Sequence, residues 1–79
     1  MKFSVTVTLK KDVLDPQGKV VQNTLQNLGM TNLKSIRQGK YFVIDLNENN
    51  QNIAEKKVKD MCEKLLANLI IEDYKVNKI

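Results

Sequence analysis

The chain has 79 residues, 42% hydrophobic and 28% charged, and a net charge of +4 at neutral pH. That length holds a single domain, residues 1–79, with a thin core. One cysteine and no histidine exclude an internal disulfide and the usual zinc sites, so association with other subunits remains as the expected source of extra stability. No run approaches the ~18 apolar residues that span a bilayer, and after Met1-Lys2 the residues alternate instead of forming an apolar block. A cytoplasmic protein without a membrane partner is expected.

Residues 2–10, KFSVTVTLK, alternate strictly. Phe3, Val5, Val7 and Leu9 share one face, and Lys2, Ser4, Thr6, Thr8 and Lys10 share the other, the pattern of a half-buried strand. A helix follows. Asp15 suits its N-cap, and Pro16 suits the next position because it has no amide to leave unbonded. Val20, Val21, Leu25 and Leu28 form an apolar stripe at helical spacing. Gly29 can turn left-handed just past the end, folding Met30 back toward Leu25. Gly18, a poor helix former in the first turn, has two readings: a merely tolerated residue, or one that lets another backbone come close.

Residues 33–46, LKSIRQGKYFVIDL, form an extended region. Ile36, Phe42, Ile44 and Leu46 share even parity, which favours one strand bent at Gly39; typical strand length favours a hairpin turning at Gln38-Gly39. Polar NENNQN then leads to a second helix, roughly 52–67, with Ala54, Val58, Met61, Cys62, Leu65 and Leu69 recurring at three- and four-residue steps. Glu55–Lys59, Lys56–Asp60 and Asp60–Lys64 mark its solvated face. Asn68 can end it, and residues 70–79 make a last strand with Ile70, Tyr74 and Val76 in phase. The order β-α-β(β)-α-β predicts an α+β fold, an antiparallel sheet with both helices packed on one face.

Catalytic groups are scarce. Histidine, the commonest general base, is absent. Cys62 falls on an apolar stripe, where a thiol behaves as a small hydrophobe. Glu72 and Asp73 are adjacent in a strand and point to opposite faces. No phosphate-cradling glycine motif occurs. The excess of lysine permits binding to nucleic acid without requiring it, and Arg37 is the lone arginine.

Three stretches, LDPQGKVVQNTLQNLG, IRQGKYFVIDL and MCEKLLANLIIEDYKV, resemble the PurS family, the small subunit of phosphoribosylformylglycinamidine synthase. The likeness runs from Val5 to Val76 and rests on Asp15-Pro16-Gln17-Gly18, Arg37-x-Gly39-Lys40 and Ile71-Glu72-Asp73-Tyr74 taken together. It departs at Leu69, where the family often has proline. The resemblance implies a small non-catalytic, dimer-forming subunit that brings together a large synthetase subunit (PurL) and a glutaminase subunit (PurQ). It implies no cofactor on this chain, with ATP and magnesium used by the complex. Asp15, Pro16, Gly18, Arg37, Gly39 and Lys40 are the expected partner-interface residues, Arg37 and Lys40 alternatively guarding a solvated strand edge. Rival readings are a basic RNA-binding α+β domain, stacking bases on sheet aromatics, and a small-ligand regulatory module with a pocket at a dimer seam.

Overall fold

Strict alternation makes β1 (Lys2–Leu9) the centre of the molecule. The computed structural model describes residues 1–79 and continues with α1 (Pro16–Asn27), β2 (Gly39–Asp45), α2 (Gln51–Met61), a π-helical turn (Cys62–Leu66) and β3 (Glu72–Lys78). The sheet is antiparallel with order β2-β1-β3. Val7 stands opposite Lys40 and Tyr74, and Val5 opposite Phe42 and Val76. Cross-strand neighbours share a face, so Phe3, Val5, Val7 and Leu9 lie with Phe42, Ile44, Tyr74 and Val76. Thr6 and Thr8 point away and are exposed; Ser4, on that same face, is buried between Val43 and Asn77.

α2 covers the apolar face. Phe3, Val5, Val7, Ala54, Val58 and Cys62 are wholly buried, and Ala67 nearly so. The helix starts at Asn50, whose side-chain oxygen accepts from the Asn52 and Ile53 amides at 3.0 and 3.2 Å, a regular N-cap. Its stripe is Ala54, Val58, Cys62 and Leu66, not Leu65. The cause is the π-turn: the Ala67 amide donates to the Cys62 carbonyl, five residues back, at 2.9 Å. The wider turn delays the rotation by about one residue, turning Leu65 outward at 84% exposure while Leu66 packs on the core. Of the expected ion pairs on its outer face Lys64–Asp60 forms, at 2.9 Å, while Glu55 accepts from Gln51 instead.

α1 ends as its sequence predicts. Gly29 has φ +104°, its amide donates to the Gln26 carbonyl, and the Met30 amide donates to Leu25, which together form a Schellman stop. The α+β architecture stands, but the two helices sit differently. α2 lies across the sheet; α1 brings only its first turn to the Leu9 end of that face, where Asp15 and Gln17 share a cleft with Val7, Leu9 and Glu72. No α1 residue belongs to the core or packs against it. Val20 and Leu28 are exposed, and Leu25 is half-buried together with Leu33 and Ile36 of the returning chain.

The 33–46 region is neither one long strand nor a hairpin: residues 33–38 are irregular, and pairing begins at Gly39. Likewise β3 begins at Glu72, not at residue 70. Asn68 builds a turn there, its side-chain oxygen accepting from the Ile70 amide at 3.2 Å, and Ile70 is left exposed. No helix is long and apolar enough to cross a membrane.

Because the core holds so few side chains, each matters. Replacing Phe3 by alanine is expected to cost about 3–5 kcal/mol, enough to unfold most of a domain this small. Thr6→Ala on the open face should stay within ~0.5 kcal/mol. Urea denaturation midpoints at constant slope check both.

Candidate functional site

Where the chain leaves β1 and returns to β2, five of the six expected interface residues gather: Asp15, Gly18, Arg37, Gly39 and Lys40. Asp15 is the focus. Its side chain is 8% exposed, and each carboxylate oxygen holds a different backbone amide. Oδ1 accepts from Gly18 at 2.9 Å, capping α1, and Oδ2 accepts from Gln38 at 2.8 Å, reaching across to the returning chain. Two amides on one carboxylate favour its charged form. The bond from Gln38, then that from Gly18, and lastly the nearby Arg37 charge hold the Asp15 carboxyl below the ordinary aspartate value, against a smaller opposing effect of burial.

Gly18 sits under this carboxylate. A Cβ on it would lie 2.5 Å from Asp15 Oδ2 and 2.9 Å from the Ile36 carbonyl oxygen, distances that real side chains do not tolerate. Its close approach is therefore made within the chain, to Asp15 and to the backbone of residue 36. Gly39 has a similar reason. Its Cβ would stand 2.4 Å from the Val7 carbonyl oxygen, so the first residue of β2 pairs with Thr8 only because it carries no side chain.

Arg37 works in the opposite direction to Asp15. Its guanidinium donates to the Lys11 carbonyl at 2.9 Å, to the Lys10 carbonyl at 3.4 Å and to the Val13 carbonyl, so its planar fork holds the outgoing loop. The Gln38 side-chain amide also donates to Gln17. Pro16 is exposed at the first position of α1. Lys40 lines the same cleft as Asp15 and Gly39 and, on the core face, pairs with Glu72 at 3.5 Å. Glu72 in turn accepts from the Asn68 amide at 2.7 Å.

Sequence reasoning missed Gln38, Glu72 and the Ile36 carbonyl. Two of these act through backbone atoms, which no residue type announces; Glu72 was visible as one of two adjacent carboxylates and as part of Ile71-Glu72-Asp73-Tyr74, without a site role. That pair does split between faces, because Asp73 meets Lys10 at 2.7 Å on the side away from the core.

Bond-making groups do not converge here. Both Asp15 oxygens are occupied, and no three His, Cys, Asp or Glu side chains stand where they could share a metal ion. Burial pushes the Cys62 thiol up, away from its reactive thiolate. Aromatic stacking of bases lacks a platform: Phe3 is buried and Phe42 and Tyr74 pack on the core, leaving Tyr41 on the open face. What the surface does offer is apolar. Beside β2 runs a groove of about 390 Å³ lined by Phe42, Val43, Ile44, Met61, Leu65 and Leu66, with Asp60 and Lys64 at its rim.

Comparison with known proteins fits this picture. Residues 2–79 match the family model described as PurS, phosphoribosylformylglycinamidine (FGAM) synthase. The PurS subunit of phosphoribosylformylglycinamidine synthase from Bacillus subtilis is 43% identical over 74 residues, 94% of this chain and 87% of the relative. That of Methanocaldococcus jannaschii is 41% identical over 80 residues, covering 99% and 96%. Among solved structures, a chain in the structure of PurLQS from Thermotoga maritima superposes with a TM-score of 0.89 at 31% identity, covering 99% of this chain and 95% of that one.

Two outcomes are expected at this junction. In a carbon-detected titration the Asp15 carboxyl should show a midpoint below 3.8, the value of an unperturbed aspartate. Since the folded value is the depressed one, this stabilisation is complete above the unfolded value and is lost as pH falls through the folded one. Gly39→Ala should destabilise by about 1–3 kcal/mol, read from the urea midpoint, because a backbone oxygen cannot yield as a flexible side chain would.

Proposed function

The chain belongs to the PurS family, and on that footing we propose that it is the small, non-catalytic subunit of FGAM synthase in purine biosynthesis. It brings the synthetase subunit PurL and the glutaminase subunit PurQ together, so that ammonia released from glutamine reaches formylglycinamide ribonucleotide and yields formylglycinamidine ribonucleotide. ATP and magnesium are used by the complex, on PurL, and the setting is the cytoplasm. The observation that carries this reading is the full-length superposition on a chain of PurLQS.

The surface supports it. Leu14, Val20, Leu28, Met30, Leu65 and Ile70 are each more than half exposed, and contiguous apolar surface of this kind marks sites of protein association. Self-association, as a homodimer or a higher assembly, would cover part of it. For the contacts with PurL and PurQ we assign the exposed Pro16 and Lys40, with Asp15, Gly18, Arg37 and Gly39 as the frame that presents them.

The test is reconstitution with PurL and PurQ from the same organism. All three chains should elute as one assembly by gel filtration, and leaving this chain out should lower glutamine-dependent product formation at least about tenfold, some 1.4 kcal/mol in barrier terms. Undiminished synthesis from glutamine without it would overturn the proposal, as would turnover of substrate by this chain alone.

A further inference from the structure

The chain is long for its mass. Its radius of gyration is 16.1 Å and its extents are 50 × 25 × 14 Å, whereas a compact domain of this length has a radius near 12 Å. The excess is α1 with the chain that returns along it. Within α1 only Gly18 is buried, and no residue from 14 to 38 is among those forming the core or packing on it.

A helix projecting from a domain on two plain loops would swing. Here the two loops are cross-linked at their base, and the links are reciprocal. Asp15, on the outgoing chain, accepts from the Gln38 amide of the returning chain at 2.8 Å. Arg37, on the returning chain, donates to the carbonyls of Lys10, Lys11 and Val13 on the outgoing chain. Gln38 meets Gln17 alongside them. The other tie within the arm, from the Gln26 side chain to the Leu33 carbonyl at 2.9 Å, lies higher up and joins the arm to itself, not to the core.

We propose that residues 16–36 form an arm whose direction relative to the sheet is set by a polar clasp at its base, Asp15 and Arg37 gripping each other's strand of chain, and that Asp15 is its positioning residue. The clasp acts apart from helix capping, since Asp15 uses one oxygen for each task. Charge-assisted bonds suit such a role because they are directional, whereas apolar packing at this base would hold the arm without fixing its angle. The inference concerns the chain by itself and does not depend on the function proposed above.

Asp15→Ser separates the two tasks. A serine hydroxyl can still accept from Gly18 and cap α1, but a single short oxygen cannot also bridge to Gln38. Backbone N–H residual dipolar couplings of the isolated protein report the arm's direction. In the wild type, amides of α1 and of the three strands should fit one alignment tensor. In Asp15→Ser, α1 should remain helical by its Cα shifts and the strand amides should keep their hydrogen-exchange protection, while the α1 tensor shrinks roughly twofold or more relative to that of the sheet. Arg37→Met, which cuts the other half, should do the same and serves if the first variant folds poorly. The proposal fails if both variants retain a single tensor, if the wild-type arm is already averaged, or if strand protection falls in step with α1.

Discussion

One face of one strand sets the terms for this molecule. Phe3, Val5 and Val7 of β1 are the only strand residues wholly removed from water, and Ala54, Val58 and Cys62 of the second helix close over them. Three strands spaced about 4.8 Å apart present a face scarcely wider than a single helix of about 10 Å. Once α2 lies across it, the apolar ground that remains is the groove beside β2, and α1 takes no part in it. The displacement of the first helix goes with the narrowness of the sheet, and the small core follows from the same geometry.

With no core to dock on, α1 is attached by polar means, which explains why the segment between β1 and β2 is so exact in its residue types. Asp15 satisfies the buried amide of Gly18 and the part-buried amide of Gln38, and no buried side-chain polar atom in the molecule lacks a partner. Glycines at 18 and 39 make the room, one for a carboxylate and one for a neighbouring carbonyl. Salt bridges elsewhere, such as Lys10–Asp73 and Lys57–Glu48, are solvent-facing and add little. The distinctive feature is charge placed on backbone groups, not charge placed on charge.

Period-2 and period-3.6 patterns are enough to read the elements, and they held where one physical signal acted alone. β1 was legible because every residue obeys the alternation, and α1 because both of its ends carry recognisable stops. Legibility failed where backbone atoms decided. Leu65 is in phase for an α-helix, and only the π-turn removes it from the stripe. Ile36 has the right parity for β2, yet Asp15 captures the Gln38 amide and the ladder starts at Gly39. Gly18 and Arg37 were visible as unusual residues, but their partners, an Ile36 carbonyl and the carbonyls of Lys10, Lys11 and Val13, leave no mark on the sequence. The helix packing was readable in kind and not in degree, because apolar spacing says that a face wants cover and not which surface supplies it.

The same accounting bears on chemistry. A catalytic carboxylate needs a free oxygen within reach of a substrate proton, and here Asp15 has both oxygens on amides, while Glu72 serves the Asn68 amide and Lys40. A nucleophilic thiol needs exposure and a lowered pKa, and Cys62 has neither. The ionisable groups that the fold holds in place are thus engaged in shaping the chain. What remains available to other molecules is surface of a different kind: the groove beside β2, the uncovered stripe of α1 and the outer edges of a three-stranded sheet, whose unpaired amides and carbonyls can add a strand. Surfaces of that sort recognise polypeptides, which agrees with membership of the PurS family.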